Sequence, residues 1–137
     1  MYLPDDFLAH ALAFLVAFLA AGAFTIAFKL IYQAITPYKE STLIRQGNSA
    51  AAIVLGGALV GYVLPLASAL ANTSTLLEFC AWATLAGIIQ IVSFTVIRVT
   101  VMKDLAERVE RGEIAPALYL LSISIAVGIL NAACMTA

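Results

Sequence analysis

The chain has 137 residues, of which 64% are apolar and 11% charged; its net charge is −1 and its mean hydropathy +1.04. A soluble domain is nearer half apolar and a quarter charged, so this composition points to a bilayer. Outside two short turns no basic stripe exists, which excludes nucleic acid as a partner, and one His with two distant Cys offers no metal motif and implies no cofactor.

A membrane-crossing helix needs about 20 mostly apolar residues, and the first stretch that qualifies covers residues 10–36. Its "AGA" at 21–23 has the look of a signal-cleavage site. A signal peptide opens on Lys or Arg, however, and this chain opens "MYLPDD", so the segment is read as a retained span. His10 stands at its outer edge and Thr25 inside it. Lys29 lies close enough to the far end for its stem to reach the interface. The charged loop 37–48 follows with Lys39 and Arg45. Gly47 suits the left-handed conformation that ends a helix, and Asn48 or Ser49 suits the cap of the next one.

The second span, 49–71, contains "GGALVGYVLPL". Gly57 and Gly61 allow another helix backbone to approach closely. Pro65 cannot donate to the carbonyl of Gly61, so a kink is expected there with a freed carbonyl. That oxygen would coordinate a cation if it lined a pore; otherwise it takes a neighbouring Ser, Thr or water.

The third span, 77–102, starts with Glu78 near Trp82, an interface anchor, and carries Gln90 near its centre. A Gln amide in hydrocarbon must find partners. Arg98 lies near the far end. Beyond it, "KDLAERVERGE" holds Lys103, Arg108 and Arg111, with opposite charges spaced as Lys103–Glu107 and Glu107–Arg111. This spacing predicts that the third span continues as a helix past the membrane until Gly112 stops it. Its acids nearly cancel its bases, which favours a solvated stop segment over a docking surface for headgroups or a partner. Pro116 falls where a first-turn proline is tolerated. The fourth span, 114–135, presents Ser124, Gly128 and Ala132 as a small-residue row, with Asn131 beside it. Cys80 and Cys134 both sit in apolar surroundings and are expected to be small buried hydrophobes, the alternative being a disulfide if both reach an oxidising face.

All seven basic residues lie in or near the loops 37–48 and 103–113, and none near the termini or the 72–76 loop. Lys and Arg are retained on the cytoplasmic side, which predicts cytoplasmic loops and two termini outside, in the periplasm of a bacterium. Gly47 and Gly112 stand 65 positions apart. The same offset aligns Phe14 with Phe79, Ala21–Gly22 with Ala86–Gly87 and Ile26 with Ile91. The expected fold is therefore all-α and integral to the membrane, a single domain over 1–137. Its four helices form two parallel-related helical hairpin repeats, about 10–73 and 75–137. The offset also matches Thr25 to Gln90, which are expected to face each other across the pseudo-twofold axis, within one chain or between subunits, as helix glue. Small-residue faces on the second and fourth spans exceed the needs of one bundle and imply a homo-oligomer.

The run "LIYQAITPYKESTLIRQGNSAAAIVLGGALVGYVLPLASA" and the ending "NAACMTA" resemble the YjfL-like family of small bacterial inner-membrane proteins, four-span proteins built from a repeated two-span domain of unknown function. The likeness covers almost the whole chain, and "ITPYKE", "GYVLPL" and "NAACM" are its most specific pieces. It implies a plasma-membrane location and four helices, and it supplies no catalytic residues. Relatives encoded beside phage-shock-type membrane-stress proteins and an ATP-grasp peptide-ligase-like enzyme imply envelope maintenance and a cytoplasmic partner.

No nucleophile–base pair, metal set or intramembrane carboxylate pair is present, which argues against an enzyme, and no acid or base at the midplane supports a proton-coupled pump. Two readings are left. An oligomeric scaffold or envelope-stress-associated membrane component is favoured. The alternative is a small oligomeric ion channel or transporter, with Gln90, Gly61 and Asn131 along a water-accessible line.

Overall fold

The computed structural model describes residues 6–36, 38–100 and 103–136. The first five residues of "MYLPDD", Pro37 of the first charged loop, the last two residues of the expected third span and Ala137 lie outside the described residues. The elements are α1 (Phe7–Ile35), α2 (Glu40–Arg45), α3 (Ser49–Asn72), α4 (Leu76–Thr100), α5 (Leu105–Glu110) and α6 (Ile114–Cys134). Four of them, α1, α3, α4 and α6, are long and apolar enough to cross a membrane. At about 1.5 Å per residue even α6, with 21 residues, matches a hydrocarbon layer of about 30 Å.

The turns between the long helices have legible local causes. Gly47 and Gly112 take φ of 84° and 79°, a region where a Cβ would clash. Each closes its short helix with the same bond pair. Asn48 N donates to Leu43 O at 2.9 Å and Gly47 N to Ile44 O at 3.0 Å; Glu113 N donates to Arg108 O at 3.0 Å and Gly112 N to Val109 O at 2.9 Å. This is the Schellman pattern that satisfies the last carbonyls of a helix. Of the two cap residues expected for α3, Asn48 does the work: its Oδ1 accepts from Ala51 N at 3.0 Å. At the other end of the bundle Thr75 Oγ1 accepts from Glu78 N at 3.2 Å and opens α4.

Two inner helices make the core. α3 and α6 lie side by side in the same direction, Gly57 against Leu121, Gly61 against Ser124 and Gly128, and Ser68 donating to Ala132 O at 3.0 Å. α4 runs antiparallel to both, with Ala83 beside Tyr62 and Ala86 beside Asn131. α1 runs parallel to α4, joined by Phe24–Phe79 and Tyr32–Phe94 ring contacts at 5.7 and 4.7 Å. It is the peripheral helix: 6% of its most apolar stretch is buried, against 56% for α3. Leu8, Leu12, Phe18, Leu19, Ile26 and Leu30 face outward along it, as befits a helix in contact with lipid.

Two expectations are corrected. The third span does not run on past the membrane as one helix: α4 is followed by a turn at Lys103–Asp104, and α5 starts afresh at Leu105. Leu105 and Val109, four residues apart, are both fully buried, so the segment folds back beneath α3 and α6 because its one apolar stripe is covered there. Of the two cysteines, both free thiols, Cys80 is half-buried and Cys134 exposed, so the expectation of two buried hydrophobes fails, most plainly for Cys134.

Candidate functional site

The polar and small residues singled out in the spans converge on the α3–α6 seam. A methyl group on Gly57 would stand 2.8 Å from Leu121 Cα, and one on Gly61 would meet the Ser124 carbonyl. Gly128 approaches the Gly61 backbone as closely from the other side, so the two helices touch backbone to backbone. Pro65 is buried in the middle of α3. Its missing N–H leaves the Gly61 carbonyl out of the helix ladder, and that oxygen lies against Gly128, where a Cα–H can offer it a weak bond. The freed carbonyl therefore faces a neighbouring helix within the chain. The small-residue faces of α3 and α6 likewise cover each other, which removes them as a ground for expecting a homo-oligomer.

Gln90 from α4 closes over this contact. It is 5% exposed, its Nε2 donates to Ser124 O at 3.3 Å, and its Oε1 has no partner. Thr25 is not bonded to it: the Thr25 hydroxyl donates to Ala21 O of its own helix at 2.9 Å. The expected Thr25–Gln90 pair thus does not form within one chain. Asn131 is buried, and its Nδ2 donates to Ala86 O at 3.2 Å. Tyr62, which the sequence did not single out, adds a third cross-helix bond of the same type, its hydroxyl donating to Ala83 O at 3.0 Å. Each donor ends on a backbone carbonyl, so among the described residues these side chains serve as inter-helix ties.

A second cluster sits at the end carrying all the bases. Lys39, Arg45, Lys103 and Arg111 are exposed there and Arg108 is half-buried. The ion pairs differ from the expected Lys103–Glu107 and Glu107–Arg111 spacing. Glu113 is instead held from both sides, by Arg108 Nε at 3.0 Å and Arg111 Nη2 at 2.8 Å. Bonds from Arg111 and then Arg108 keep its carboxyl below the usual carboxylate range. Asn48 ties the two turns together, its Nδ2 donating to Val109 O at 2.8 Å.

Glu40 is the residue that sequence reasoning missed. It opens α2 yet is 2% exposed, and among the described residues neither carboxylate oxygen has a hydrogen-bond partner. The adjacent Thr36 hydroxyl donates to Tyr32 O at 2.6 Å and has no second proton to give. The hydroxyls of Tyr32 and Tyr38 and the Nε of Arg98 are likewise buried without partners among the described residues. A cavity of about 460 Å³ opens beside the carboxyl, lined by Gln33, Thr36, Tyr38, Lys39, Ser41 and Thr42. Burial pushes the Glu40 carboxyl up to about 7 against the smaller opposing effect of the Lys29 charge; the Thr36 hydroxyl, committed to Tyr32, adds no donor. Among the described residues no cluster of His, Cys, Asp and Glu could hold a metal ion.

The family described as Domain of Unknown Function (DUF350) matches residues 6–135. The chain belongs to the DUF350 family. It is 38% identical over 125 residues to the UPF0719 inner membrane protein YjfL of Escherichia coli strain K12, a match covering 91% of this chain and 94% of that protein. The same figures hold for YjfL of Escherichia coli O157:H7. No solved structure matches the chain. The DUF350 description carries no reaction, and the name of the relatives gives a membrane and no substrate. This DUF350 chain is thus a multi-pass inner-membrane protein, and its activity must be argued from its own seam and charged end. Glu40 escaped notice because a glutamate among Lys39, Ser41 and Arg45 reads as solvated. The only available signal was positional: Leu105 stands 65 residues further on, at the start of a short helix of the same length.

Proposed function

We propose that this protein is a non-enzymatic membrane scaffold, a self-associating component of the envelope whose partner is a cytoplasmic membrane-stress protein. In this reading both turns face the cytoplasm and both termini the periplasm, as the distribution of Lys and Arg favours. The two hairpins are copies related by an axis along the membrane normal. Supporting that relation, α2 and α5 begin 65 residues apart, as do α3 and α6, and Gly61 contacts Ser124 and Gly128, two residues on either side of its 65-offset counterpart.

One observation carries the scaffold reading. The side chains of Gln90, Asn131 and Tyr62 donate to backbone carbonyls of neighbouring helices in the same chain, while α1 leaves a row of large apolar side chains uncovered. Among the described residues the fold thus offers no polar lumen, and it leaves one face of α1 through which copies can associate. The channel reading has the unpartnered Gln90 Oε1 in its favour. Ion flux through liposomes holding the folded protein, with Gln90→Leu as control, separates the two. The scaffold predicts silence from both proteins. Flux in the wild type that collapses in the variant would make Gln90 a pore-lining residue and overturn it.

A further inference from the structure

α2 and α5 have the same length and end in the same glycine turn, yet they are held differently. α5 is anchored by Leu105 and Val109, both 0% exposed. In α2 the counterpart of Val109 is Ile44, which is 37% exposed, and the one buried side chain is Glu40. A carboxyl therefore occupies the seat that its counterpart fills with leucine. It does so with neither oxygen partnered, beside two phenols equally unpartnered. An ionised carboxylate without a partner is among the costliest groups to bury, and it neutralises or moves out.

Among the described residues no group supplies a counter-ion in contact with it. From α1, Lys29 acts on Glu40 at a distance, and Tyr32 lies within reach of its charge. From the linker come Tyr38 and the exposed Lys39; Arg98 of α4 and Glu110 of α5 act on Tyr38. Arg45, on α2 itself, is exposed, and α3, packed against α2, brings no charged residue.

We propose that Glu40 is a proton-binding latch: with a proton it stays seated and holds α2 against the bundle, and without one it leaves and the 38–48 turn opens. The pivot is at hand, since Gly47 has the conformational freedom to turn and Asn48 remains clasped to the Val109 carbonyl. The direction with pH follows from burial raising the carboxyl to about 7 from its ordinary 4.5. A raised value means that the seated form binds the proton more tightly. Its advantage is complete below the ordinary value and is lost as pH rises through about 7. The opening equilibrium should grow about tenfold between about pH 6 and about pH 8. This inference stands apart from the scaffold reading, because it concerns one turn of the chain whether or not copies associate.

Hydrogen exchange on the full chain in nanodiscs tests it, following the amides of Leu43, Gln46 and Gly47 that α2 and its turn protect. Rates are corrected for intrinsic pH dependence, and α5 serves as the internal reference. The wild type should lose protection in α2 relative to α5 as pH rises, and Glu40→Gln should flatten the profile. Glu40→Leu, which copies the side chain of α5, should flatten it with higher protection at all pH values and serves alone should the glutamine variant not fold. An α2 that tracks α5 across the range, or a folded variant that keeps the wild-type profile, would overturn the latch.

Discussion

Gly56 and Gly57 are neighbours in sequence and opposites in structure. Nothing lies within 4 Å of the position a Cβ would take on Gly56, whereas Gly57 and Gly61 are pressed against the backbone of α6. Gly61→Ala should therefore lower thermal stability in nanodiscs by about 1–3 kcal/mol, the cost of overpacking against backbone that cannot yield. Gly56→Ala should be neutral or slightly favourable, as alanine is the better helix former. Equal melting temperatures for the two variants would contradict the seam. Gln90→Leu should change stability by less than about 1 kcal/mol, since it removes one tie of the kind that contributes little in membranes and also an unpartnered oxygen. The glycine spacing and the need of the Gln90 amide for partners were readable in sequence, because hydrocarbon constrains both with few alternatives. Glu40 was not, because its burial depends on how a six-residue helix folds back, which no local pattern encodes.

At the scale of elements, the two charged turns divide along the same line. Their glycine stops were readable from Gly47 and Gly112, because the left-handed conformation selects for glycine wherever a helix must end sharply. The separate α5 was not. "KDLAERVE" is rich in helix formers with favourable charge spacing, and that favours continuation, while the deciding Leu105 and Val109 form a stripe too short to stand out. Asn48 couples the turns through its cap on Ala51 and its bond to the Val109 carbonyl. Asn48→Ala should cost about 1–2 kcal/mol in a thermal melt, near the upper end for a lost cap, because the Val109 carbonyl loses its side-chain donor too. Ser49→Ala, at an exposed position that supplies no side-chain cap, should cost far less. If the two substitutions cost the same, the clasp contributes nothing.

For the whole molecule, four spans and the inner-membrane assignment followed from hydropathy and family likeness, while the ranking of helices did not. Mean apolarity hardly separates α1 from α3, since lipid and protein interior select the same side chains. Only the packing puts α3 inside and α1 outside. Self-association through α1 makes a definite prediction. In a background where Cys80 and Cys134 are replaced by alanine, single cysteines at Leu12 and Leu19 should form disulfide-linked dimers in membranes under oxidation. A cysteine at the exposed Val63 of α3 should not. Monomers throughout would leave lipid as the cover of α1 and withdraw self-association from the proposed function.

The side-by-side placement of α3 and α6 has a consequence for biosynthesis. The halves of the core start 65 residues apart in the chain, so at roughly 5–20 residues per second the ribosome takes some seconds to deliver the second after the first. Throughout that interval the glycine face of α3 is in the bilayer without its mate. The nascent protein thus passes through a stage in which its stickiest surface is open to insertion factors or to the α3 of another unfinished chain. Polysomes that slow translation between residues 72 and 114 should accumulate such mispaired chains, and the order of synthesis becomes part of how the seam is kept for its own partner.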